Sequence, residues 1–348
     1  MTLARASAIN PLELAGAAFS SPLVSLVGAL VIAGVVGLIA TRTGRSAARG
    51  PAAEGRTLRT RYAPEHRALG IVALATLIVF LADFLIRTYV SGVGLAWWAF
   101  AVPLACAVIG VGVVFGIIAT HGTTPPDSPI VPSARRTWLS FSSAPTLVVA
   151  GVALLALVST SVAAGVASSP DDEGRYVWLT IPIPNEGDID PIRVPFYGWT
   201  YSLPVLVCLA VLVAVTWATL DRNAARPYVK PETVAAERVA RRTSARGTVR
   251  IMTAATLLAL AAAWRLIAGA GSISTLTVMG QNGDAPYDAV WRFAELAVAA
   301  GWCAPVLEVI AFTLLLLVAA TGLRRTRVAN SSPTPAEPAQ ARATGGVR

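Results

Sequence analysis

The chain has 348 residues, 55% of them hydrophobic and only 14% charged, with a mean hydropathy of +0.64. Soluble domains carry about 25% charged residues, so these values exclude an ordinary water-soluble fold and point to a membrane bundle. The formal charge of +9 lies in the connections between apolar runs and not on one basic module, which argues against nucleic acid as a partner.

A hydrocarbon core of ~30 Å needs about 20 apolar residues in a helix rising 1.5 Å per residue. Seven stretches meet that length: residues 22–40, 68–89, 97–119, 144–167, 201–220, 249–270 and 296–320. Helices are forced, because each unpaired backbone group in lipid costs several kcal/mol. The expected fold is therefore an all-α integral membrane bundle of seven transmembrane helices spanning 22–321. An outer segment, 1–21, precedes it, and a disordered cytoplasmic tail, 322–348, follows. The first stretch reads as a retained span: only Arg5 precedes it, and the dense arginines follow it.

The connections alternate in charge. Arg42, Arg45, Arg49, Arg56, Arg59, Arg61 and Arg67 separate the first two spans, and Arg135 and Arg136 the third and fourth. Arg222, Arg226, Lys230, Arg238, Arg241, Arg242, Arg246 and Arg250 separate the fifth and sixth, and Arg324, Arg325 and Arg327 follow the seventh. The other connections are poor in arginine. Positive segments stay inside, so the expected N-terminus is outside and the C-terminus is cytoplasmic, in the plasma membrane.

The largest outer segment, 168–200, is acidic. Its run Tyr176–Ile181 is rich in strand formers, Asn185-Glu186-Gly187-Asp188 reads as a turn, and 192–197 is a second extended run. A small extracytoplasmic β-hairpin is expected, limited to edge-type pairing by Pro182, Pro184 and Pro195. On the inner side, Pro231-Glu232-Thr233 starts a helix that can run on into the sixth span, with Glu237 and Arg241 as an i,i+4 pair. The spacing of Gly112 and Gly116 predicts close helix packing in the third span.

Candidate chemistry rests on the few charges within or at the rim of the spans. Asp83, Arg87, Arg265 and Glu308 form the candidate intramembrane polar site, and Glu295, Arg292, Asp188 and Asp190 its outer rim. Charges at a helix centre cost ~2.5–3.5 kcal/mol each on insertion scales and need a partner or a wet cavity. Counted along the helices, Asp83 and Arg265 stand ~22–24 Å above the inner face and Glu308 ~18 Å below the outer one. Asp83 can thus pair with Arg87 or Arg265, and Glu308 is expected as a protonated, hydrogen-bonded acid. Asp188-Ile189-Asp190 resembles the acidic triplet by which some glycosyltransferases hold a metal ion, but two acids in an acidic loop read first as solvated surface.

The residues also exclude chemistry. His66 and His121 both lie in inner connections, so paired axial histidines are absent, and the only lysine, Lys230, is outside every span. Cys106, Cys208 and Cys303 form no CxxC pair. With no phosphate loop, HExxH or nucleophile elbow, no cofactor or metal is expected, and any ATPase would be a separate chain. The leading expectation is a non-catalytic permease-like component or an accessory subunit among other membrane subunits and lipids. The alternatives are an enzyme acting on an extracytoplasmic lipid-linked or cell-wall substrate, and a signalling or scaffold protein.

Overall fold

The computed structural model describes residues 21–44, 54–90, 95–121, 137–183, 191–228, 231–273, 275–276 and 287–330. Among them seven helices are long and apolar enough to cross a membrane. They are α1 (Pro22–Gly44), α2 (Glu54–Tyr89), α3 (Val102–His121), α4 (Ala144–Ala167), α5 (Trp199–Ala225), α6 (Val234–Gly271) and α7 (Ala294–Asn330). Every expected span has its helix, and the chain has the build of a multi-pass membrane protein. Asp188, Asp190 and the residues beyond 330 lie outside the described residues.

Two helices reach well past their apolar runs. α2 begins at Glu54 where the sequence suggested residue 68, whereas α6 begins at Val234, directly after Pro231-Glu232-Thr233, and runs on through the sixth span as that helix start suggested. The cause is a buried stripe that continues in helical phase beyond the hydrophobic segment. On α2 it runs through Tyr62, Glu65, Leu69, Ala73, Thr76 and Phe80, and on α6 through Glu237, Arg241, Ser244 and Thr248. α7 likewise continues to Asn330, past the boundary expected at 322.

α6 is the axis of the bundle: 67% of its apolar window is buried, against 17% for α1. It packs most extensively on α7 and also touches α2, α3, α4 and α5. α1 lies against α7, where Val309 faces Gly28. The α2–α7 register is set by Gly70 against Gly322 and by the edge-to-face pair Phe80–Phe312, 5.7 Å between centroids. The glycine pair in α3 does not behave as its spacing suggested, because Gly112 and Gly116 face open space. Gly110 makes the close approach instead: a Cβ there would collide with Val72 of α2.

The two ends of the bundle differ. At one end, here the basic end, the start of α2, the α5–α6 connection and the end of α7 converge. At the other, the sheet end, three short strands form an antiparallel sheet: β1 (Ser169–Pro170), β2 (Tyr176–Ile181) and β3 (Ile192–Pro195). β2 pairs with β3 from Trp178↔Pro195 to Ile181↔Ile192. The sheet rests on the bundle through Phe196 and Tyr197, both fully buried, with Phe196 against Trp291 and Tyr197 against Phe100. A second pair, β4 (Thr275–Leu276) and β5 (Tyr287–Asp288), lies at the same end between α6 and α7.

Candidate functional site

Charge enters the apolar part of the bundle at one level. On α2 the Asp83 carboxylate accepts from Arg87 Nη2 at 2.6 Å and Nε at 3.1 Å, an i,i+4 pair whose side chains are about a quarter exposed. Arg87 sits in the last turn of α2, where the helix dipole favours a cation. Between α6 and α7, Arg265 Nε and Nη2 donate to the two oxygens of Glu308 at 2.6 and 2.8 Å. This two-point fork is the strongest geometry open to a guanidinium and a carboxylate.

The helix register explains why Arg265 meets Glu308. Gly271 lies against Ala297, and Ala268 against Gly301. Continuing that antiparallel run puts Arg265 opposite Ala304, so its side chain reaches about one turn, ~5.4 Å, toward the bundle centre to find Glu308. The same reasoning on α2 and α7 places Asp83 at nearly the height of Glu308. The structure thus sets the expected members at one depth but pairs them as Asp83–Arg87 and Arg265–Glu308. The alternative Asp83–Arg265 pair is not formed, and Glu308 is engaged through both oxygens as the partner of a guanidinium.

Exposure divides the second pair: Glu308 is 0% exposed and Arg265 22%. Along α6, residues 251–261 are all buried, but Trp264, Arg265, Leu266, Ile267 and Ala268 are all partly exposed. Five consecutive residues cover every side of a helix, so packing around α6 loosens just above Glu308, although α7 keeps its contact there through Ala268 and Gly301. Trp264 partly closes this region by donating from Nε1 to Thr160 Oγ1 of α4 at 3.1 Å. Pro305, one turn from Glu308, has no N–H to give the Gly301 carbonyl, which leaves an extra acceptor at the same place.

Of the rim candidates, Glu295 is exposed in the first turn of α7, where the dipole favours an acid. Arg292 is exposed and stacks over Phe293, 4.6 Å from its centroid. Neither joins the Arg265–Glu308 pair. An apolar groove of about 470 Å³ between α3 and α5, lined by Trp97, Trp98, Val102, Leu203 and Cys208, also carries none of these charges.

A second polar cluster lies at the basic end; of it only the i,i+4 pair of Glu237 and Arg241 was legible in the sequence, and that pair forms. Arg226 Nη1 donates to Glu65 Oε1 at 2.7 Å, and Ser244 Oγ to Glu65 Oε2 at 3.2 Å. Arg241 donates from Nη1 to the Arg226 carbonyl and from Nη2 to the Pro227 carbonyl, both at 2.7 Å, and from Nη2 to Glu237 Oε2 at 3.2 Å. Tyr62 and Thr233 donate to the same Glu237 carboxylate. The Arg241 guanidinium is sandwiched near Tyr228 and Phe141, 4.4 and 5.8 Å from their centroids. A cation on the carbonyls that end α5 offsets the negative pole of that helix. The connection is thereby pinned to α2 and α6. Arg226 and Arg241 had looked like topology-setting surface charges, but the structure buries both.

No family model, curated protein or solved structure matches the chain. What the arrangement does must therefore be argued from its own chemistry. Among the described residues no group of three or more His, Cys, Asp or Glu side chains is placed to hold a metal ion, and the three cysteines are free thiols.

Proposed function

We propose that this is a permease-like component of the plasma membrane, with the N-terminus outside and the arginine-rich connections in the cytoplasm. The Arg265–Glu308 pair supports this reading most. A pair serving only to join two helices is best sealed on both sides, since exposure weakens it. Here the acid is sealed, but its arginine is partly exposed where packing around α6 loosens. Charged residues carried into apolar spans at such cost mark substrate or ion pathways. Asp83 and Arg87 at the same depth add polarity to the same level.

In this reading a solute entering from the sheet end meets a guanidinium whose counter-charge is Glu308. An anionic group competes for Arg265, and a proton on Glu308 releases it. Either event would loosen α6 from α7, the most extensively packed pair in the bundle. The positive character of the other end agrees with the orientation, since arginine-rich segments are retained in the cytoplasm.

The test uses a chain with Cys106, Cys208 and Cys303 replaced by serine, reconstituted in oriented vesicles. Ala268→Cys should react with a membrane-impermeant maleimide added at the sheet end, and Ala259→Cys, fully buried in the packed half, should not. Glu308→Gln should express normally and change the Ala268→Cys labelling rate several-fold. If Ala268→Cys stays unlabelled from both sides, the pair is sealed and the role is that of an accessory subunit.

A further inference from the structure

The lower part of α6 carries an arginine ridge that the polar clusters leave unused. Arg238, Arg242, Arg246 and Arg250 follow one another at intervals of four residues, and so lie along one side of the helix. The first three are exposed and Arg250 is half-buried, while Glu237, Arg241, Ser244, Ala245 and Thr248 on the other side are buried. Among the described residues none of these four arginines makes an ion pair or side-chain hydrogen bond. The nearby acids are committed or apart: Glu237 holds Arg241, Glu65 holds Arg226, and Glu232 and Asp221 lie exposed on the adjoining turn and on α5. Like charges four residues apart repel across a helix surface. A ridge of them persists most readily when a partner from outside brings the negative charge.

Position indicates the partner. α6 carries no charged residue from Ile251 to Trp264, and its two threonines there, Thr253 and Thr256, bond back to the helix, so Arg250 stands at the edge of the hydrocarbon and Arg246 about 6 Å below it. The headgroup layer on each side of a bilayer is roughly 5–8 Å thick. Arg246 and Arg250 therefore both fall at the depth of lipid phosphates, whereas Arg242 and Arg238 lie ~12 and ~18 Å below Arg250, beyond it. We propose that Arg246 and Arg250 form a binding site for the phosphate of an anionic phospholipid in the leaflet at the basic end. A soluble phosphate offers the same oxygens, but a lipid phosphate is the one the bilayer holds at the depth of half-buried Arg250. This site stands independently of the permease reading.

The experiment is native mass spectrometry of the full chain in detergent, titrated with phosphatidylglycerol, phosphatidylcholine or inorganic phosphate. A basic residue near an anionic lipid surface contributes about fivefold to binding. Arg246→Gln/Arg250→Gln is therefore expected to weaken phosphatidylglycerol binding by roughly 25- to 30-fold, with phosphatidylcholine unaffected. Arg246→Gln alone, at an exposed position that folding does not depend on, should cost about fivefold. Arg222→Gln, an exposed arginine on the last turn of α5, is the control and should change little. Equal losses in Arg222→Gln and Arg246→Gln, binding of both lipids alike, or displacement of phosphatidylglycerol by millimolar phosphate would each overturn the proposal.

Discussion

Replacing Glu65 with methionine should be among the most damaging single changes at the basic end, and adding Arg226→Met should relieve much of the damage. Glu65 is 1% exposed and Arg226 5%, and their 2.7 Å contact joins α2 to the connection that leaves α5. Glu65 also accepts from Ser244 of α6. Removing one partner of a buried pair strands the other charge at a cost of ~3–5 kcal/mol, whereas removing both and filling the space with apolar atoms is often near neutral. Each single variant should therefore lose about 3–5 kcal/mol. The double variant should lose less than either single one, which requires a coupling energy above about 3–5 kcal/mol, larger than the ~0.5–3 kcal/mol usual for contacting residues. Ser244 is left without its acceptor in both Glu65 variants, so its loss cancels from the cycle. Equilibrium unfolding in mixed detergent micelles measures all four chains. Single effects below about 1 kcal/mol, or strictly additive ones, would show that water reaches this pair and that the connection is not pinned through it.

The two kinds of glycine in α3 should respond in opposite ways. Gly110→Leu drives a side chain into Val72 and should cost ~1–3 kcal/mol, while Gly112→Ala, facing open space, should be neutral or gain up to about 1 kcal/mol from helix propensity. Equal destabilisation by both in the same unfolding assay would contradict the α2–α3 packing. At the sheet end, burial opposes ionisation of Asp171, but hydrogen bonds from the Arg175 N–H, the Arg175 guanidinium and the Glu173 N–H hold its carboxyl below the usual carboxylate range. A carboxyl lowered in the folded state contributes stability above its ordinary range and loses it as pH falls through the lowered value. Hydrogen exchange at the Gly174 and Arg175 amides should therefore show constant protection, after correction for intrinsic rates, from pH 7 to pH 5. Protection already falling in that interval would count against the assignment.

The seven spans were legible because about 20 consecutive apolar residues are a one-dimensional signal that bilayer thickness imposes. The intramembrane charges were legible for the same reason, since Asp83, Arg87, Arg265 and Glu308 interrupt that signal. Of their pairing, Asp83 with Arg87 was one of the two readings the spacing allowed, but Arg265 with Glu308 was not legible. Height along a helix says nothing of which helices are neighbours, and Arg265 spans a full turn to reach Glu308. The basic-end cluster was hidden more deeply, because Arg226 and Arg241 sit among arginines that do face outward. Only phase distinguishes them: Tyr62, Glu65 and Leu69 on α2, and Glu237, Arg241 and Ser244 on α6, extend each buried stripe past its apolar run. The misread glycine spacing in α3 carries the same lesson. Gly112 and Gly116 define a smooth face, but Gly110 is the residue turned toward a partner.

The account depends most on the arginine-rich end lying on the cytoplasmic side of a bilayer that solvates the seven helices. In a chain whose three native cysteines are serine, Ala235→Cys places a thiol at an exposed position on the basic-end turn of α6. A membrane-impermeant maleimide should label it in inside-out vesicles and leave it untouched in intact cells. Labelling in intact cells, or release of the folded chain from membranes without detergent, would contradict the account.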